Sequence, residues 1–157
     1  MRSAPSGPAT WASSEDREAV ERLLGRPPAA DFTVAVRCPH GRPAVIENAP
    51  ADRAGRPFPT RWWLTCRALV EAVGRLEAAG GVRALAEDPA IAAPLAAANR
   101  RHAALTGVPV AGAGDPRRPK CLHAHLAFAL AEDGSAVGDW IVARAGADFP
   151  DRCCLQR

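Results

Sequence analysis

Apolar and polar positions change period several times along the chain, and each change marks an element. From Ser13 to Leu24, Val20, Leu23 and Leu24 recur at helical spacing behind an S-x-x-D start that caps a helix, and Gly25 with Pro27-Pro28 ends it. The period then shortens to two. Phe32, Val34, Val36 and Cys38 fall on one face of a predicted strand, buried against the core. The turn Pro39-His40-Gly41-Arg42-Pro43 leads into Ala44-Val45-Ile46-Glu47, so the two runs predict a hairpin with Cys38 and His40 at its tip. Asn48 to Thr60 is broken by Pro and Gly and reads as a loop. The aromatic run after it passes into a helix carrying Leu69, Val70, Val73 and Leu76, with Thr65 as the predicted N-cap and Gly80-Gly81 as the stop.

A short segment over 82–86 follows, then an alanine-rich helix over 91–105 that accepts Pro94 in its first turn. Gly107 to Pro119 is a Gly/Pro/Arg loop, Lys120 to Ala131 carries Leu122, Leu126 and Leu130 on one helical stripe, and Val137 to Ala143 predicts a last short helix. The pattern gives an α+β fold: one helix-dominated domain over 13–147, with a single β-hairpin packed against several helices. Residues 1–12 are expected to be a flexible tail and 148–157 a C-terminal tail that carries Cys153-Cys154 away from the domain.

Composition changes this picture little. With 157 residues, 48% of them hydrophobic and 24% charged, the chain can bury one core and is far from a disordered composition. A net charge of +3 is too small an excess to demand nucleic acid or an anionic membrane as partner, and no apolar run is long enough to span a bilayer. Lys120 is the single lysine among 20 basic residues, so individual arginines carry little functional information in this chain. No leader pattern opens the sequence, and the expected address is cytoplasmic. There, five cysteines read as metal ligands, reactive thiols or buried apolar residues rather than a disulfide framework.

The candidate chemistry is concentrated in Lys120-Cys121-Leu122-His123-Ala124-His125, which holds one of the five cysteines and two of the four histidines. On a helix, residues four apart lie about 40° from each other around the axis, so Cys121 and His125 share a face and His123 points elsewhere. Cys38 at a hairpin tip and Cys66 at a helix start are placed where backbone turns present side chains. Cys38, Cys66, Cys121 and His125 therefore form a candidate metal set, three thiolates and one imidazole, suited to zinc with iron as the other option. His40 and His123 are additional ligand candidates. Against this stands the plain alternative of cysteines used as small hydrophobes in a metal-free adaptor.

A thiol enzyme is the other chemical reading. Cys66 at a helix N-terminus would have its thiolate favoured by the helix dipole, although no motif pairs it with a base. Arg117, Arg118 and Lys120, just ahead of a helix, are candidate anion-binding residues for a phosphorylated or nucleotide-like substrate. Whether the partner is a small molecule or a protein is left open.

Three segments resemble a known bacterial family, domain of unknown function 501. They are Val36-Arg37-Cys38-Pro39 with Gly41 and Pro43-Ala44-Val45-Ile46, then Pro57-Phe58-Pro59-Thr60 through Trp63-Leu64-Thr65-Cys66 into Arg75-Leu76-Glu77, and Lys120 through His125. Arg67 stands where the family pattern has proline. The resemblance implies that Cys38, Cys66, Cys121, His123 and His125 belong to the pattern while Cys153 and Cys154 do not, and it implies no established activity.

Overall fold

The computed structural model describes residues 10–58, 60–132 and 135–156. Most of the expected N-terminal tail, residues 1–9, lies outside the described residues. The first helix, α1 (Ser14–Leu24), begins where Ser13 Oγ accepts the Asp16 amide at 3.1 Å and ends at Gly25 in the left-handed region, φ 73°. β1 (Phe32–Arg37) and β2 (Pro43–Asn48) form the predicted antiparallel hairpin, closed at its tip by the Cys38 amide on the Arg42 carbonyl and the Gly41 amide on the Cys38 carbonyl.

Two departures from the sequence pattern matter. The register slips between Val34 and Val36, and again before Arg37, so strict alternation fails: Phe32 is fully buried while Val34 and Val36 are half-covered. The hairpin is also not alone. Trp62–Leu64 adds a third antiparallel strand, β3, in the order β1-β2-β3, with Val45 opposite Leu64. Three residues are too few for a period-two pattern to be visible, so the strand reads as part of a helix approach. Once β3 is in place, β2 is the central strand. Its neighbours in sequence serve opposite faces: Val45 enters the main core, and Ile46 joins Val20 and Phe32 in a smaller cluster beneath α1.

After β3 the chain turns into α2 (Arg67–Ala78). Cys66, not Thr65, occupies the N-cap position, because the Thr65 hydroxyl donates instead to the Pro43 carbonyl at 2.9 Å and ties the helix start to the hairpin. Gly80, at φ 88°, makes the joint to α3 (Gly81–Glu87), and α4 (Ala92–Thr106) follows. α5 (Leu122–Ala131) is apolar nearly all round, with Leu122, Ala124, Leu126, Ala127, Phe128 and Ala129 buried, as befits a helix enclosed on several sides. It packs on β3, α2 and α6 (Ala136–Ala145). α5 and α6 approach so closely at Gly138 that a Cβ there would stand 2.5 Å from the Ala129 Cβ. Among the described residues, no helix is long and apolar enough to cross a membrane.

The segment after α6 does not leave the molecule as the sequence pattern suggests. His40 Nε2 donates to the Pro150 carbonyl at 2.9 Å, Arg22 donates to the Leu155 carbonyl at 3.1 Å, and Cys153 and Cys154 are buried. Residues 151–156 are polar overall, and two cysteines give no periodicity from which docking could be read.

Candidate metal centre

Glu77, near the end of α2, meets Cys121 and His123 at the start of α5, and one ligating atom from each lies within 4.8 Å of the others. Cys121 is the N-cap of α5, with an extended backbone at φ −148° and ψ 119°. Its side chain therefore departs from the helical progression that would have placed it over His125. Glu77 Oε1 accepts the Leu122 amide at 2.7 Å, so a carboxylate from α2 satisfies a donor that the first turn of α5 leaves free. The Glu77 and His123 side chains are about a quarter exposed, at 28% and 26%.

The orientation of the His123 ring carries most of the chemistry. Nε2 lies 3.0 Å from the Val70 carbonyl, which only accepts, so Nε2 bears a proton. Nδ1 faces Glu77 Oε1 at 3.3 Å, and a carboxylate oxygen also only accepts. A neutral ring would thus place two lone pairs against each other. A cation between them resolves the conflict, either a second proton or a metal ion. In the metal-free protein it is a proton: the neighbouring Cys121, the Val70 carbonyl and Glu77 hold the imidazole up at about 9 against the opposing effect of burial. The ring lies over Gly74 of α2, where a Cβ would make only an ordinary 4.0 Å contact with His123 Nε2.

Cys121 and His123 open onto a cleft of about 500 Å³ walled by Trp62, Trp63 and Leu64 of β3, with Lys120 at its edge. It has the composition of a small-molecule site, an apolar and aromatic wall with a few convergent polar groups.

The four residues singled out as a metal set are distributed over three places. Cys38 and Cys66 line a separate small cavity with His40. Cys121 is paired with His123 and Glu77. His125 is 1% exposed in the core, its Nε2 buried without a hydrogen-bond partner among the described residues, and burial together with nearby His102 pushes its imidazole down to about 4. Cys66 does stand at a helix start, but burial and the adjacent Cys154 push its thiol up to about 11, which outweighs the backbone N–H groups of Leu69 and Ala68 and removes it as a thiolate nucleophile near neutral pH.

The anion-binding candidates divide as well. Arg117 and Arg118 line a groove with Arg83, Asp115 and Glu87, where Arg117 is already paired with Asp115 at 3.2 Å, and Lys120 lines the cleft beside Cys121. Sequence reasoning missed Glu77. The residue stands in the quoted Arg75-Leu76-Glu77 segment, but nothing local connects it to residues 45 positions downstream.

Residues 34–106 match the family described as Protein of unknown function (DUF501), and the chain carries that family's domain over this span. Glu77 lies inside the matched residues, and Cys121 and His123 lie beyond them. Neither the curated proteins nor the solved structures give a match to this chain.

Proposed function

We propose that this chain, with its DUF501 domain, binds a divalent metal of the zinc class through Glu77, Cys121 and His123, and that the metal acts on an anionic small molecule held in the adjoining cleft. One observation carries the reading: His123 Nε2 is committed to the Val70 carbonyl, which turns the ring's remaining nitrogen toward a carboxylate in a group that also includes a thiol. A carbonyl fixing the outer nitrogen of a ligating histidine is the usual second support of a metal site. Thiolate, imidazole and carboxylate are all zinc ligands, and three protein ligands with a free position toward solvent form the pattern of reactive sites, whereas structural sites are closed by four. Lys120 and the tryptophan wall suit a ligand with a negative group and an apolar body.

A thiol relay through the same residues is less well supported. The protonated Nε2 is spent on a carbonyl, and Nδ1, the only nitrogen left to act as base, already faces Glu77.

The experiment is metal analysis of full-length protein purified under reducing conditions without a metal-affinity tag, in parallel with Cys121→Ala and His123→Ala. Each variant should lose one equivalent of zinc relative to the parent. Inorganic phosphate should bind the zinc-loaded parent more tightly than the chelator-treated protein, and Lys120→Ala should weaken that binding. A parent that neither carries zinc nor takes it up after reconstitution overturns the proposal.

A further inference from the structure

The sheet order β1-β2-β3 leaves the outer edge of β3 without a strand beside it among the described residues. Which backbone groups face outward follows from the ladder. The Asn48 amide donates to the Arg61 carbonyl at 2.7 Å and the Thr65 amide to the Ala44 carbonyl at 2.9 Å, so these two opposed pairs are hydrogen-bonded ones. Bonded and non-bonded pairs alternate along an antiparallel ladder. Trp63 with Ile46 is then the bonded pair between them, and Trp62 and Leu64, opposite Glu47 and Val45, turn their backbone groups away from β2. Their N–H and C=O groups point off the sheet edge, about 7 Å apart along the strand. Among the described residues none of these groups has a protein partner.

That edge faces the cleft beside Cys121. Successive residues of a strand send their side chains to opposite faces. Trp62 enters the main core, where its ring packs against Phe128 with centroids 5.0 Å apart, and Trp63 joins the smaller cluster of Phe32 and Ile46. A cleft over one face could not touch Trp62, Trp63 and Leu64 together, whereas one that runs along the edge meets all three. Lys120, on the other wall, is exposed, and no acidic residue lines the cleft to oppose its charge. An unpaired edge is a template for another extended chain. With three residues β3 is too short to recruit a second sheet, but it is long enough to hold a short ligand.

We propose that the cleft is a site for a short extended peptide with a free carboxylate, whose backbone pairs with Trp62 and Leu64 as a fourth strand and whose carboxylate meets Lys120. This names the ligand class for the cleft described above, and it rests on that cleft but not on its metal. Every second residue of such a peptide offers the N–H and C=O that answer those of Trp62 and Leu64, while the residues between turn theirs away. The cleft's volume of about 500 Å³ is that of a small-molecule site, so the occupant is a free peptide of a few residues and not the tail of a larger partner.

The probe is N-acetyl-tetraalanine with a free carboxylate, titrated into full-length protein prepared as above, both zinc-loaded and chelator-treated. Saturating peptide should slow hydrogen exchange at the Trp62 and Leu64 amides by about tenfold or more and leave the Trp63 amide, already paired, unchanged. N-methylation of the peptide amides one at a time should weaken binding about tenfold at alternate positions and little at those between. A peptide ending in a carboxamide should bind less tightly, and Lys120→Ala protein should no longer distinguish it from the carboxylate. Equal losses at every N-methylated position overturn the proposal, as does unchanged exchange at Trp62 and Leu64 in both metal states. A longer peptide with the same terminus that binds about tenfold tighter also counts against it, since a protein tail would then be the better occupant. Peptide binding by a chain that takes up no zinc would support this proposal while the metal reading fails, and phosphate binding by zinc-loaded protein that rejects the peptide would do the reverse.

Discussion

His125 should make this protein acid-sensitive in a measurable way. Its imidazole is 1% exposed, has one ring nitrogen without a partner among the described residues, and is pushed down to about 4 in the folded chain, against about 6.5 for a free histidine. The folded state therefore takes up its proton later than the unfolded state, and stability falls as pH drops below about 6.5, levelling off once pH passes the folded value near 4. Integrating the difference in bound protons gives a loss of about 2 kcal/mol between pH 7 and pH 5, and about 3 kcal/mol by pH 4. That is a large part of the roughly 5–15 kcal/mol that holds a domain together. Urea unfolding at pH 7, 6 and 5 would measure it for the parent and for His125→Leu, which keeps an apolar side chain of similar size in the core. Carboxylates contribute to both curves and cancel in the difference, whereas the repulsion between His125 and His102 exists only in the parent and is part of the effect measured. The parent should lose about 2 kcal/mol more than the variant between pH 7 and pH 5. Parallel pH profiles would refute the reasoning, because they would mean that His125 protonates in the folded chain as readily as in water.

Further outcomes follow from the packing and the site. Gly138→Ala should destabilise by about 1–3 kcal/mol, since its Cβ would stand 2.5 Å from the Ala129 Cβ, and for a domain of this size the midpoint of thermal unfolding should drop by several degrees. Gly74→Ala should stabilise by about 0.5–1 kcal/mol, because it removes a mid-helix glycine where the nearest atom, His123 Nε2, is at an ordinary 4.0 Å; a loss of stability on urea unfolding would contradict the placement of that ring. In chelator-treated protein, NMR titration of the His123 imidazole should show a larger fall for Cys121→Ala than for Glu77→Gln, since the neighbouring Cys121 is the main cause of its raised value and Glu77 a smaller one.

Much of the fold was legible because its signals are local. The Ser13 cap, the Gly25 stop, the hairpin turn and the Gly80 joint are each written within a few residues and are found where the pattern puts them. Trp62–Leu64 was not, because a three-residue strand is defined by its partner β2 and not by its own period. The site was half legible for a related reason. The density of ligands around Cys121 coincides with the candidate group of Glu77, Cys121 and His123, but the helix starts only at Leu122: Cys121 caps it from an extended backbone and meets His123, not His125. Glu77 and the Cys153-Cys154 pair enter through contacts across 45 and 88 residues, between Glu77 and Leu122 and between Cys66 and Cys154, which no local pattern encodes.

The Glu77 carboxylate holds the Leu122 amide and faces the His123 ring with the same oxygen. The first turn of α5 is thereby capped by a side chain on another helix, so the order of that turn and the docking of α2 are linked through one hydrogen bond. The Leu122 amide is a natural sentinel for this junction. Its hydrogen-exchange rate reports whether the carboxylate remains engaged with the backbone, and a ligand drawing that carboxylate away would speed exchange at one amide while leaving the core of α5 protected. The chemistry of the site and the local stability of the helix are therefore read by a single probe, without substrate and without assay of any reaction.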